Sequence, residues 1–345
     1  MMVFRKLFSV LTIVLLLSSC FTGCQPVKKA EAVVIHGEAQ GSTYTIRYIT
    51  DHPEEDLKLA IDSILLSIDM SMSAYRPDSD ISRINEGDST IVVDENFRNV
   101  FLASQRIWEE SSGSFDPTVG KLVRAWGFGP DHHRIPLDST KVDSLLQYSG
   151  FDKVALAPDH TIRKKNRNIY FDFNAIAQGY TVDVIVDFFL DRGIENFIAE
   201  VGGELAAHGR NTEKDRDWIV GIDDPLQGDE ERSFVAKIKL NDMGMATSGN
   251  YRKTVTDSVT GEKYVHTIDP ISGYTRRGNV LSTTILAKDC MDADAYATTF
   301  MVMGLERAKE FLKGKPDVHA FILYLDDNNE MQKYMTAGFR SLIVD

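Results

Sequence analysis

Apolar and polar residues along this chain recur with two different periods, and the changes of period outline its elements. Residues 33–39 and 43–49 alternate with the period of two that a half-buried strand requires, around a Gln40-Gly41-Ser42 turn. Leu57, Ile61, Ile64, Leu65 and Ile68 then recur at helical spacing. A second helix follows Asp94 and carries Phe97, Val100, Phe101, Ile107 and Trp108 as far as Gly113. Residues 169–173 read as an aromatic strand, leading into a helix over 175–192 that Gly193 stops. Strands are predicted over 197–201, 205–209, 218–222, 234–240, 264–268, 280–287, 319–324 and 331–335, and a helix over 305–313. The two kinds of element mix without a strict strand–helix–strand alternation. The fold class is therefore α+β: a mixed, largely antiparallel sheet core flanked by helices, in a single compact domain.

One late segment, residues 291–304, departs from an ordinary amphipathic helix. It is apolar on nearly every face and carries its acids, Asp292 and Asp294, only in the first turn. Asp294 and Thr298 lie four apart, so their oxygens project from the same face. A carboxylate and a hydroxyl are hard oxygen ligands of the kind Mg²⁺ takes. The same pattern also suits a buried helix whose acids complement its dipole.

The first residues read as a targeting segment. Arg5 and Lys6 precede a short apolar run, residues 10–17, well below the roughly 20 residues that span a bilayer. The run ends in Leu17-Ser18-Ser19-Cys20, which resembles a bacterial lipobox with Cys20 as the acylated residue; Cys24 is a weaker second candidate. The expected organisation is a lipoprotein signal peptide over 1–19, a lipidated tether over 20–32 and a folded domain over 33–345. Three cysteines give no disulfide framework, and Cys290 reads as a buried thiol.

Formal net charge is −13, and loss of the leader makes the remainder more acidic still. There is no basic stripe, so nucleic-acid binding is excluded as a leading function. An acidic protein that handles phosphates needs a metal to offset their charge.

Several motifs carry candidate chemistry. Tyr75, beside the Pro77-stiffened turn, offers a ring for stacking, or simply packs. Gly113-Ser114-Phe115-Asp116-Pro117 permits close backbone approach of a ligand, or merely links helices. Asp172 stands at a strand-to-helix junction, where a carboxylate accepts from a ligand N–H and the Ala175 carbonyl is left without a helical partner, or where the segment is a plain cap. Gly202-Gly203 reads as a bulge or a ligand approach. Ala246-Thr247-Ser248-Gly249 presents hydroxyls to phosphate oxygens, and His266 precedes a tight Asp269-Pro270 turn with a side chain suited to proton transfer near neutral pH, or is a structural histidine.

In order along the chain, these segments resemble one family, the bacterial FAD:protein FMN transferases, or ApbE-type flavin transferases. The resemblance runs from Tyr75-Arg76-Pro77-Asp78-Ser79 through Phe115-Asp116-Pro117-Thr118, Asp172–Tyr180, Gly202-Gly203, Thr247-Ser248-Gly249 and His266-Thr267-Ile268-Asp269-Pro270 to Asp294 with Thr298. It implies an enzyme that uses FAD as substrate with Mg²⁺ as cofactor. The enzyme passes FMN to a Thr or Ser hydroxyl of an acceptor protein as a phosphoester and releases AMP. Ala175, Asp294 and Thr298 would form the metal site. Gln40, Tyr75, Ser114, Phe115, Asp116, Asp172, Gln178, Ser248 and Ile268 would contact the flavin nucleotide, and His266 would act as base beside Asp294. Gln178 stands where the family pattern has Lys or Glu, Gln40 where Met is common, Asn174 where Gly or Ser is usual and Glu204 where Asp or Asn is typical. Implied acceptors are flavoprotein subunits of respiratory complexes, such as the Na⁺-pumping NADH:quinone reductase or Rnf-like assemblies. The implied location is the bacterial inner membrane, lipid-anchored and facing the periplasm. Alternatives are an FAD pyrophosphatase with water as acceptor, and a non-catalytic flavin-binding lipoprotein.

Overall fold

The computed structural model describes residues 30–344 except 55, 131–134, 136, 228–232, 251–253, 257–262 and 277. Cys20, Cys24, the 1–19 leader and nearly all of the 20–32 tether lie outside the described residues. The chain opens with β1 (Glu31–Ala39) and β2 (Ser42–Thr50), then α1 (Leu57–Met72), α2 (Asp80–Glu86), α3 (Glu95–Glu110), α4 (Gly120–Ala125) and α5 (Ser139–Leu146). A short hairpin, β3 (Val154–Leu156) and β4 (Ile162–Lys164), precedes α6 (Ala177–Leu190). Next come β5 (Phe197–Val201), β6 (Glu204–His208), β7 (Trp218–Asp223), β8 (Phe234–Leu240), β9 (Met243–Gly249), β10 (Thr254–Thr256), β11 (Lys263–Val265) and β12 (Val280–Ala287). The chain closes with α7 (Cys290–Met303), α8 (Leu305–Lys313), β13 (His319–Leu325), β14 (Met331–Met335), α9 (Ala337–Ser341) and β15 (Ile343–Val344).

The main sheet has eight strands in the order β1-β2-β5-β6-β9-β12-β13-β14. All its ladders are antiparallel, in keeping with the α+β expectation. A three-stranded sheet, β15-β8-β7, packs its Trp218, Ile222, Ile238 and Leu240 with Phe321, Leu323 and Phe339. The first hairpin closes on Gln40-Gly41, with Ala39 opposite Ser42 and φ of 51° and 73° at the two turn residues. Two consecutive left-handed residues match the right-handed twist of the flanking strands.

Helix α7 is the centre of the molecule. Cys290, Ala293, Ala295, Ala297, Thr299 and Phe300 are fully buried, which explains why the segment is apolar all round: it packs on α6, β9 and β12. The free thiol of Cys290 is buried, as expected. Close approach depends on small residues. A Cβ on Gly179 would overlap the Cys290 carbonyl, and one on Gly244 would overlap the Cys290 backbone. No described helix is long and apolar enough to cross a membrane.

Four readings of the sequence need correction. Residues 169–173 do not form a strand: Tyr170 makes one isolated bridge to Val119, and the neighbour of Phe171 is a side chain. Asn85 Nδ2 donates to the Phe171 carbonyl at 2.9 Å, and Phe171 N–H donates to Asn85 Oδ1 at 2.7 Å. Helix α6 begins at Ala177, not 175, and ends at Leu190. Of the predicted strand 264–268, only the first residues belong to β11; Ile268 forms an isolated bridge to Thr275. The helix read as far as Gly113 ends at Glu110.

Candidate active site

The aromatic run at 170–173 positions the first group of candidate residues. Phe171 and Phe173 are buried against Phe97 and Phe101, with ring centroids 5.2 Å apart for Phe97–Phe173 and 6.1 Å for Phe101–Phe171. Each such pair adds about 0.5–1.5 kcal/mol beyond its buried area. Alternation along the extended backbone turns the intervening Asp172 the other way, into a cavity. Asp172 N–H donates to the Pro117 carbonyl at 2.8 Å, and its Oδ1 accepts from Asn174 N–H at 2.9 Å. Burial, and secondarily the Asp172 carboxylate, raises the phenol of the neighbouring Tyr75 above its ordinary value, although half of that residue stays exposed.

The loop after α3 supplies the second group. Asp116 is buried; one of its oxygens serves the loop itself and the other ties that loop to Phe151. Oδ1 accepts from Thr118 N–H and Oγ1 at 2.8 and 2.6 Å, and Oδ2 accepts from Phe151 N–H at 3.1 Å. Burial raises this carboxyl group above its ordinary value, and those donors oppose the rise. Asp116 therefore shapes the cavity wall through its backbone. Ser114 is buried and accepts a 2.9 Å bond from Arg307 of α8, a partner that no sequence motif signalled.

Helices α6 and α7 supply the third group. Asp294 is 5% exposed, and Gly179 N–H donates to its Oδ2 at 3.1 Å. No other described donor reaches that carboxylate, and burial pushes it up to about 7. The Gly179 N–H would pair with Ala175 in a regular helix; it turns to Asp294 instead. No backbone N–H among the described residues donates to the Ala175 carbonyl. One turn along α7, the Thr298 hydroxyl shares a 3.1 Å hydrogen bond with Ser248 on β9. Gln178 lies against Gly202 in the β5–β6 turn, where a Cβ would collide with its amide. Gln40 donates through Nε2 to Thr181 Oγ1 at 2.7 Å, and its Oε1 is buried with no partner among the described residues.

The last wall is the segment after β11. Trp126 Nε1 donates to the Gly273 carbonyl at 2.9 Å and pins the turn that follows Ile268. His266 is half-buried, with Phe128 edge-on at a centroid distance of 6.4 Å.

All these walls bound one cavity of about 780 Å³. Every candidate residue named from the sequence, other than Cys20, lines it: Gln40, Tyr75, Ser114, Phe115, Asp116, Asp172, Ala175, Gln178, Ser248, His266, Ile268, Asp294 and Thr298. That volume lies in the range of small-molecule and cofactor sites. Asn174, Glu204, Thr247 and Phe128 line it as well.

Among the described residues no cluster of three or more His, Cys, Asp or Glu side chains forms a metal cage. The cavity lining offers donors of another kind, among them the Asp294 carboxylate, the Thr298 hydroxyl and the Ala175 carbonyl, which has no backbone partner among the described residues. This all-oxygen set fits Mg²⁺, which is commonly held by only one or two protein carboxylates. A buried carboxylate with a single amide partner is costly, and a cation offsets that cost.

Comparison with known proteins shows the family. Residues 40–322 match the family model described as the ApbE family. The chain is 34% identical to the FAD:protein FMN transferase of Vibrio cholerae, over 93% of this chain and 95% of that one. It is 30% identical to the enzyme of the same name from Escherichia coli K12, over 94% of each. Among solved structures, the flavin transferase ApbE from Vibrio cholerae superposes with a TM-score of 0.80 at 31% identity, covering 91% of this chain and 99% of that one. The apo flavinyl transferase ApbE of Pseudomonas stutzeri gives 0.80 at 27% identity, with 92% and 98% covered. A family match across most of the chain, and relatives aligned nearly end to end, make this protein a member of the ApbE family.

Proposed function

We propose that this protein transfers the FMN half of FAD to a Ser or Thr hydroxyl of an acceptor protein, as a phosphoester, and releases AMP. One observation carries the reading beyond the names of its relatives. The buried Asp294 carboxylate, with one amide partner, faces the same cavity as His266 and the Ser248 and Thr298 hydroxyls. A site for binding alone has no need of a buried carboxylate or a half-buried imidazole beside a nucleotide.

In this mechanism Tyr75, Asp172, Gln178, Ile268 and the 114–116 backbone orient the flavin nucleotide, and Gln40 offers its unpartnered Oε1 as an acceptor. His266 takes the proton of the acceptor hydroxyl as that oxygen bonds to the FMN-side phosphorus. The bond from this phosphorus to the bridging oxygen breaks, and AMP leaves with that oxygen. Ala175, Asp294 and Thr298 would hold Mg²⁺, which when bound supplies charge neutralisation for the pyrophosphate. The chain's own contribution is positioning and exclusion of water.

Lipidation at Cys20, with a periplasm-facing position on the inner membrane, belongs to the same proposal. So do respiratory-complex subunits as acceptors. The decisive experiment incubates the protein with FAD, Mg²⁺ and a purified acceptor domain. An FMN-sized mass gain on the acceptor with stoichiometric AMP is the expected result. Free FMN and AMP without labelling would assign a pyrophosphatase, and no AMP at all would leave a flavin-binding protein.

A further inference from the structure

We propose that Asp183, which does not line the cavity, is the positioning residue that holds α6 and α7 in the register on which the Gly179–Asp294 contact depends. Asp289, the residue at the N-cap of α7, makes no side-chain cap. Asp183 of α6 takes that role from across the helix pair. Its Oδ1 accepts from Cys290 N–H at 2.7 Å and its Oδ2 from Met291 N–H at 2.8 Å. One turn earlier on α6, the bond runs in the opposite sense: Gly179 N–H donates to Asp294 Oδ2 at 3.1 Å. The two helices are therefore clamped at two points, α6 giving an acceptor at one and a donor at the other. A Cβ on Gly179 would overlap the Cys290 carbonyl, so the backbones already touch between the two points.

The clamp has a consequence for the site. Ala175 precedes α6, and Asp294 and Thr298 lie on α7, so the relative register of the helices sets the spacing of those three oxygens. A carboxyl group on one helix that accepts from the first two amides of another satisfies donors that a helix start leaves without intrahelical partners. This inference rests on the reading of Asp294 and Thr298 as metal oxygens only for its effect on Mg²⁺, not for the clamp itself.

The test compares full-length wild type with Asp183→Asn and with Thr336→Ala, a loss of the α9 cap, where Thr336 Oγ1 accepts from Phe339 N–H at 3.3 Å. Amide hydrogen exchange at Gly179 is read without metal, and Mg²⁺ affinity is read by calorimetry. Asp183→Asn is expected to speed exchange at Gly179, and to weaken Mg²⁺ binding, each by at least about tenfold. Thr336→Ala should change neither, whatever it costs in melting temperature. Should Asp183→Asn fail to fold, the same exchange measurement is made on Asp183→Ser, whose shorter hydroxyl does not span both α7 amides, and faster exchange at Gly179 is expected there too. Unchanged Gly179 exchange in the folded variant would overturn the proposal, and so would an equal change in Thr336→Ala. Faster exchange in a protein whose wild type binds no Mg²⁺ would support the clamp and count against the metal reading.

Discussion

Asp294 is the residue on which the proposed chemistry turns. It is buried, it has one amide partner, and it shares a cavity with Thr298, Ser248 and His266. Asp294→Ala is expected to abolish FMN transfer, read as loss of labelled acceptor, while the circular dichroism spectrum stays that of the wild type; Mg²⁺-dependent transfer by this variant would remove Asp294 from the metal site. Asp183 offers a test of a different kind. Burial raises its carboxyl to about 7, against an unfolded value near 3.9. Between those values the folded protein keeps a proton that the unfolded chain has lost. Stability therefore falls as pH rises from about 4 to about 7 and levels off above. Asp183→Asn has no such proton, so its urea midpoint should fall less than that of the wild type between pH 5 and pH 8. A parallel fall in both proteins would show that Asp183 does not titrate in this window.

At the scale of elements, two contacts set the cavity walls. The approach of α6 to α7 depends on Gly179. Gly179→Ala is expected to lose about 1–3 kcal/mol in chemical denaturation, the usual cost of overpacking a close contact, and wild-type stability would show that the helices can separate freely. The second contact is the Asn85 side chain, which replaces a neighbouring strand for residues 170–173. Asn85→Ala strands a buried N–H and a buried carbonyl, each costing about 1–3 kcal/mol. It should also weaken FAD binding, measured by fluorescence titration, because Asp172 rides on that backbone. These contacts explain which parts of the site were legible. The helix 291–304 was readable because an all-apolar helix with acids only in its first turn has few explanations. The extended run at 170–173 was misread as a strand because its aromatic alternation is that of a strand; its partner is one amide side chain 86 residues away. Thr247 and Ser248, whose element the sequence left open, lie on a central strand, and their hydroxyls go different ways: Thr247 pairs with Thr284 across the sheet at 2.9 Å and Ser248 with Thr298 of α7 at 3.1 Å.

For the whole molecule, the proposed lipid anchor is tested apart from the chemistry. A lipid on Cys20 would keep an acidic domain close to a membrane without a spanning helix. Cys20→Ala is expected to move the protein from the membrane to the soluble fraction and leave FMN transfer by the purified chain unchanged, whereas Cys24→Ala should stay with the membrane. Retention of the Cys20→Ala protein at the membrane would exclude Cys20 as the anchor.

The order of motifs along the chain determined the family, since each motif is local and survives without knowledge of distant contacts, and the mixture of strand and helix periods determined the α+β class. Periodicity likewise placed most strands and the principal helices. Only the tertiary structure decided that thirteen scattered candidates share one cavity, because they come from separate loops, strands and helix ends. It alone decided that the Asp116 carboxylate ties its own loop to Phe151, that Arg307 reaches Ser114 and that Asp183 caps a helix 107 residues away. A carboxylate in a sequence carries no sign of what will donate to it; burial and the unpaired amides of another element make that choice.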